Sequence, residues 1–142
     1  MLFEKSCGAV VLRNKKNSDG TKSKYVLMIR HSSGGHRSFP KGHVEKGESE
    51  RQTAEREVFE ETSVRIHICE KFRHPVYYRP RPNVNKEVVY FLAFTRQKDI
   101  VPREGEIAEV EWVSLEDAMQ SLTHDNDKMV LSSAIEYLKN KN

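Results

Sequence analysis

Apolar and polar residues fall in blocks along this chain, and the length and period of each block separate strands from helices. Cys7 to Arg13 (CGAVVLR) and Lys24 to Arg30 (KYVLMIR) are short, apolar and β-branched, and the polar stretch NKKNSDGTKS lies between them. This predicts two strands joined by a loop. The following HSSGGHRS runs through Phe39 and Pro40 into KGHVEKGE, where glycines and charges exclude a long regular element and predict a second loop. Ser49 and Gln52 then stand at capping-box spacing, and Glu50 to Glu61 are mostly helix formers without Gly or Pro. A helix from about Ser49 to Thr62 is predicted.

Beyond that helix, VRIHICEKF, VYY and KEVVYFLAFTR read as strands, with a turn at RPRPNVN favoured by its prolines and asparagines. VEWVSL reads as a strand ending on Ser114 as a helix cap. DKMVLSSAIEYLK carries apolar residues at 130, 131, 134, 135 and 138, the stripe of a core-packing helix. Helices alternating with strands imply an α/β or α+β sandwich. No repeat or linker divides the chain, and 142 residues suit one domain spanning 1–142.

Composition narrows the function classes. A charged fraction of 32% beside a hydrophobic fraction of 37% describes a folded, water-facing protein. No apolar run approaches the roughly 20 residues of a membrane span, and the N-terminus lacks the marks of a signal peptide. The expectation is a cytoplasmic protein without membrane contact. Cys7 and Cys69 have no metal-ligand spacing, so reduced thiols are expected. A net charge of +3 is too small to imply a stable nucleic-acid complex. The charges are segregated, however: acids concentrate at 45–61 and 104–116, bases at 30–46 and 79–86, as suits a site that holds cations and a polyanion together.

The acids carry the candidate chemistry. At about 3.6 residues per turn, Glu57, Glu60 and Glu61 fall within an arc of about 100° and can converge on one point. Like charges so spaced cost a few tenths of a kcal/mol per pair, which a cation would offset. A solvated acidic face is the ordinary explanation of three glutamates alone, but their setting is specific. From Gly42 the chain reads GHVEKGESERQTAEREVFEETSV, with Gly, Glu, Arg-Glu-apolar, Glu-Glu and a final apolar residue at fixed intervals. About one such chain in 10⁴ would match by accident.

Those are the residues of the Nudix box, and the chain resembles the Nudix hydrolase family at Gly42, Glu48, Arg56, Glu57, Val58, Glu60, Glu61 and Val64. The resemblance implies an α/β/α sandwich with a mixed central sheet. It implies that Glu57, Glu60 and Glu61 ligate magnesium, with manganese as a possible substitute, that Gly42 offers its carbonyl, and that Arg56 pairs with Glu48. Ser63 stands where the family usually has a glycine with positive φ. The family's chemistry is water attack on a phosphoanhydride, which needs cations on the oxygens and a base for the proton. By analogy Glu106, in PREGEIAEVEW, is the base or a further ligand, with Glu104 and Glu109 as alternatives.

FPKGHVEKGE, SCGAVVLR and KEVVYFLAF are similar to the asymmetric diadenosine tetraphosphate hydrolases within that family. The implied reaction gives ATP and AMP from a small-molecule dinucleotide bound by a monomer. The same resemblance brings Lys41 and His43 to the phosphates and an aromatic residue to the base. Tyr77 and Tyr78 alternate in a strand, so that one can face the ligand and the other the core, with Tyr77 slightly favoured. Lys86, and less so Arg79 and Arg81, can meet distal phosphates. Arg37 stands where relatives often carry a large aromatic, so stacking there would fall to a guanidinium plane. Competing readings are removal of pyrophosphate from RNA 5′ ends, hydrolysis of diphosphoinositol polyphosphates or nucleoside triphosphates, and a non-catalytic nucleotide-binding module.

Overall fold

The computed structural model describes residues 1–141. Strands β1 (Leu2–Lys16), β2 (Lys22–His31), β3 (Arg37–Ser38) and β4 (Lys41–His43) precede helix α1 (Glu50–Thr62). Strands β5 (His67–Arg81), β6 (Val84–Phe94) and β7 (Ile107–Ser114) follow, then helices α2 (Leu115–Ser121) and α3 (Asp125–Asn140). The sheet runs β3-β2-β1-β6-β5, with β4 on β1 and β7 on β2. It is mixed: β1 and β6 are parallel, while the other pairs are antiparallel.

A split in this sheet positions the site. β1 and β2 pair only from Leu12↔Val26 to Lys16↔Lys22. Beyond Leu12 they diverge, and the segment between β2 and α1 fills the gap: Arg37 and Ser38 pair with β2, Lys41 to His43 with β1. This stretch was expected to be loop. Its two strands are too short to show any period, and they form because the diverging edges offer unpaired backbone groups. The insertion needs Gly8, where a Cβ would collide with the carbonyl oxygen of Pro40.

Side chains alternate across the sheet to build two cores. Val10, Leu12, Val26, Met28, Val88, Tyr90 and Leu92 pack against Ala118 and Leu122 of the α2 region and Val130, Leu131 and Ala134 of α3. Ala9, Val11, Leu27 and Ala93 face Val58 of α1, and Cys7, Val89 and Phe91 face Ala54. The result is the expected α/β/α sandwich. The stripe on α3 is core-facing, with Ile135 and Leu138 joining its buried residues.

The cap expectations also hold. Ser49 and Gln52 form a reciprocal capping box at the start of α1, and the Ser114 hydroxyl accepts from the Asp117 N–H at the start of α2. Ser63 closes α1 in the left-handed region at φ 64°, so serine adopts the conformation that glycine takes more cheaply. The strands expected in VRIHICEKF and VYY are one strand, β5, with register shifts at Cys69/Arg73 and Tyr78/Arg81. Pro75 is tolerated because β5 ends the sheet path, where a missing donor breaks no inner ladder. The turn contracts to Pro82 and Asn83, the latter at φ 63°, a conformation asparagine accepts.

Candidate active site

Helix α1 docks on the open edge of β4 through two of its side chains. The Lys41 N–H donates to Glu61 Oε1 at 3.1 Å, and the His43 carbonyl accepts from Arg56 Nη2 at 2.9 Å. Residues two apart on a strand point their backbone groups the same way, so one helix face satisfies both. Between them lies Gly42, and a Cβ there would occupy the space of the Glu57 carboxyl group. Glycine is required because the acid sits directly on the backbone.

Arg56 is the hub. It forks onto Glu48 with bonds of 2.7 and 2.9 Å and reaches Glu57 at 2.6 Å and Glu60 at 3.1 Å. The bidentate guanidinium, helped by the Glu45 N–H, holds the Glu48 carboxyl down at about 2. Glu61 differs: only 6% exposed, it has a backbone donor and no arginine. Burial, and then the negative charge of Glu57, push its pKa up to about 8.

Glu57, Glu61, Glu106, Lys41, His43 and Lys86 line one cleft of about 360 Å³ together with Gly42, Ser6 and Arg103. Glu60 stands outside it, shared between Arg56 and Arg103. Arg103 also approaches Glu106 at 3.6 Å and thereby bridges helix and loop. Of the alternatives to Glu106, Glu109 faces Arg30 and Arg37, and Glu104 is exposed and does not line the cleft that Glu106 lines. Burial and the charge of Lys41 lower the pKa of Lys86.

The tyrosines part company because of the sheet's alternation. Tyr77 is 66% exposed and donates to Glu87 on the α1 face. Tyr78, at 38%, lines a second cleft of about 400 Å³ that also contains Lys41, Arg79, Val88 and Asp127. Neither belongs to the core, which corrects that half of the expectation. Arg37 pairs with Glu111 at 3.0 Å and is no free stacking plane, while Arg81 is held by Glu4 at 2.8 Å. A third cleft, lined by His31, Ser38, His36, His124, Lys41 and Glu106, meets the others at Lys41. His36 and His124 stack there at 5.1 Å. Arg103, His124 and Asp127 were not singled out in the sequence, since isolated charged residues far from the box carry no local signal.

The family model for the NUDIX domain matches residues 3–132, and the chain belongs to the Nudix family. Within it, the chain is 31% identical to the pig asymmetrical bis(5′-nucleosyl)-tetraphosphatase, over 94% of this chain and 95% of that one. It is likewise 31% identical to the Caenorhabditis elegans protein of that name, over 82% and 83%. The crystal structure of a C. elegans Ap4A hydrolase binary complex superimposes with a TM-score of 0.85 at 27% identity, covering 97% of this chain and 99% of that one. The chain is an enzyme of the pyrophosphohydrolase class.

Nudix hydrolases generally depend on a divalent metal, and the donors here suit one. They are carboxylate and carbonyl oxygens, the ligands of hard cations. Two of the carboxylates are nearly buried, Glu57 at 9% and Glu61 at 6%, and Glu57 rests in a cradle that any side chain at 42 would fill. Among the described residues no three acidic, histidine or cysteine side chains form a closed ligand set. The remaining ligands would therefore be water and phosphate, as is usual for magnesium.

Proposed function

We propose that this enzyme cleaves dinucleoside tetraphosphates asymmetrically, as diadenosine tetraphosphate to ATP and AMP, by magnesium-dependent attack of water on phosphorus. The observation that carries this reading is the meeting of two opposite charge sets in one cleft: Glu57, Glu61 and Glu106 face Lys41, His43 and Lys86. Acids suit the metal and bases the polyphosphate. The relatives' name, shared over nearly the whole chain, supports the substrate class.

In this reading Glu57, Glu60, Glu61 and the Gly42 carbonyl hold magnesium, with manganese able to replace it. A metal held there would supply the positive charge that neutralises phosphate oxygens and acidifies water. Lys41 and Lys86 bind the phosphate chain as point charges, and His43 donates a hydrogen bond to it. Glu106, exposed at the cleft mouth and tethered by Arg103, accepts the proton of the attacking water. Arg56 and Glu48 touch no substrate and fix the glutamates and β4 in place. Tyr78 supplies a stacking surface for one base. The chain works as a single-domain monomer in the cytoplasm.

Product analysis by chromatography in isotopically labelled water, with magnesium and with EDTA, tests the reading. Mono- and triphosphate in equal amounts, with the label in one of them, is the expected result. An intact dinucleotide beside cleaved nucleoside triphosphate, pyrophosphate released from 5′-triphosphorylated RNA, or cleaved diphosphoinositol phosphate would replace it with one of those activities.

A further inference from the structure

The cleft that holds Tyr78 contains a carboxylate to which the chemistry above gives no part. Asp127, near the start of α3, is 6% exposed. One of its oxygens accepts from the buried Tyr90 hydroxyl at 3.2 Å. The other has no side-chain partner among the described residues, yet it is not sealed in the protein, and the residue lines the cleft. Val76 and Val88 give the same cleft apolar surface, and Lys41 belongs both to it and to the glutamate cleft. A polyphosphate crossing Lys41 therefore delivers its terminal nucleoside to Tyr78 and Asp127.

An ionised carboxylate only accepts hydrogen bonds. Guanine presents two adjacent in-plane donors, N1–H and the N2 amino group, which match the two oxygens of a carboxylate. Its O6 is an acceptor, for which Arg79 and Asn126 on the same lining offer donors. Adenine places its N1 lone pair beside its N6 amino group, so one carboxylate oxygen would face a lone pair. Burial raises the pKa of Asp127, while the charge of Lys41, the Tyr90 hydroxyl and His124 oppose that rise.

We propose that Asp127 is a specificity residue that selects guanine over adenine in the Tyr78 cleft, so that a guanine dinucleoside tetraphosphate is the preferred substrate. This rests on the dinucleotide reading above and narrows it. An asparagine at this position keeps the acceptor for Tyr90 and adds a donor, and an amide pairs with adenine through one donor and one acceptor.

The test compares kcat/KM for diguanosine and diadenosine tetraphosphate at about pH 8, far above the ordinary carboxylate range. Binding of GMP and AMP to the same full-length protein is measured alongside. The wild type should favour guanine by roughly tenfold or more in both measures, and D127N should bring the ratio to one or reverse it. Equal handling of the two bases by the wild type, or a ratio that D127N leaves unchanged, overturns the inference. Because wild-type binding needs neither turnover nor a variant, the two readings fail separately. Cleavage of neither dinucleotide removes the proposed function, and equal binding of GMP and AMP removes the role of Asp127.

Discussion

Helix α1 carries two charge clusters, and they are built on opposite rules. Near its first turn, Glu50 meets Lys5 at 2.6 Å and Arg73 at 2.7 Å, and both cations also approach Glu87. Every charge there has a partner, and the Arg73 guanidinium holds the Glu50 carboxyl down at about 2. From the middle of the helix to its last turn, Arg56 satisfies Glu48 and reaches Glu57 and Glu60, but Glu61 is buried without an arginine and raised to about 8. A saturated cluster has nothing left to offer a ligand. A buried acid short of positive charge is poised to take a cation, and that imbalance separates a site from a brace.

The most direct way to break the contrast is Glu61→Gln. It should cut turnover by roughly 10²-fold or more, since a ligand or charge acting on the transferring phosphoryl group is lost. The melting temperature of the metal-free protein should hardly move, because the native acid is largely neutral there. Activity retained at the wild-type level would deny Glu61 any part in metal binding.

Arg56→Ala against Arg73→Ala sharpens the comparison. The first removes the brace between Glu48 and β4 and should cost about 1–3 kcal/mol in urea unfolding, with most of the activity. The second opens a more exposed pair, should cost under about 1 kcal/mol, and should leave kcat unchanged. Equal losses of activity would mean that both clusters on α1 serve catalysis.

The arginine-paired acids and the unpaired one should also answer pH in opposite directions. Glu50 and Glu48 have lowered pKa values, so the stability they lend is present above the unfolded carboxylate range and lost as pH falls toward about 2. Glu61 has a raised value, so its contribution is fully present below the unfolded value and declines as pH rises toward about 8. Magnesium competes with that proton. The rise in melting temperature on adding magnesium should therefore be larger near pH 8 than near pH 6, and an equal rise at both would contradict the assignment.

The smallest expected effect lies at the helix end itself. Ser63→Gly relieves a left-handed serine and should stabilise by roughly 0.5–1 kcal/mol in thermal melts, with activity unchanged. A destabilised variant would mean that the serine side chain contributes something its φ does not reveal.

How much of this could be read in advance follows from distance along the chain. Gly42 to Val64 is contiguous, and its caps, spacing and charges all lie within reach of one helix and one loop, so the glutamate cluster was visible at once. β3 and β4 were missed because they exist only where β1 and β2 diverge, a tertiary event. β5 was divided in two because Pro75 signals a break that an edge strand tolerates. Tyr77 and Tyr78 could not be assigned to faces without the register to Glu87 and Lys86. Asp127 meets Tyr90 across 37 residues, and no local pattern announces such a pair.

The docking of α1 on β4 has a consequence beyond catalysis. A strand edge with free backbone groups is a template on which another chain can grow a sheet. Here the Lys41 N–H and the His43 carbonyl are already taken by Glu61 and Arg56. Glu61, proposed above to hold the metal, and Arg56, proposed to position the glutamates, thus also close the seam where the sheet is split and leave that edge no backbone groups at 41 and 43 for another chain to pair with.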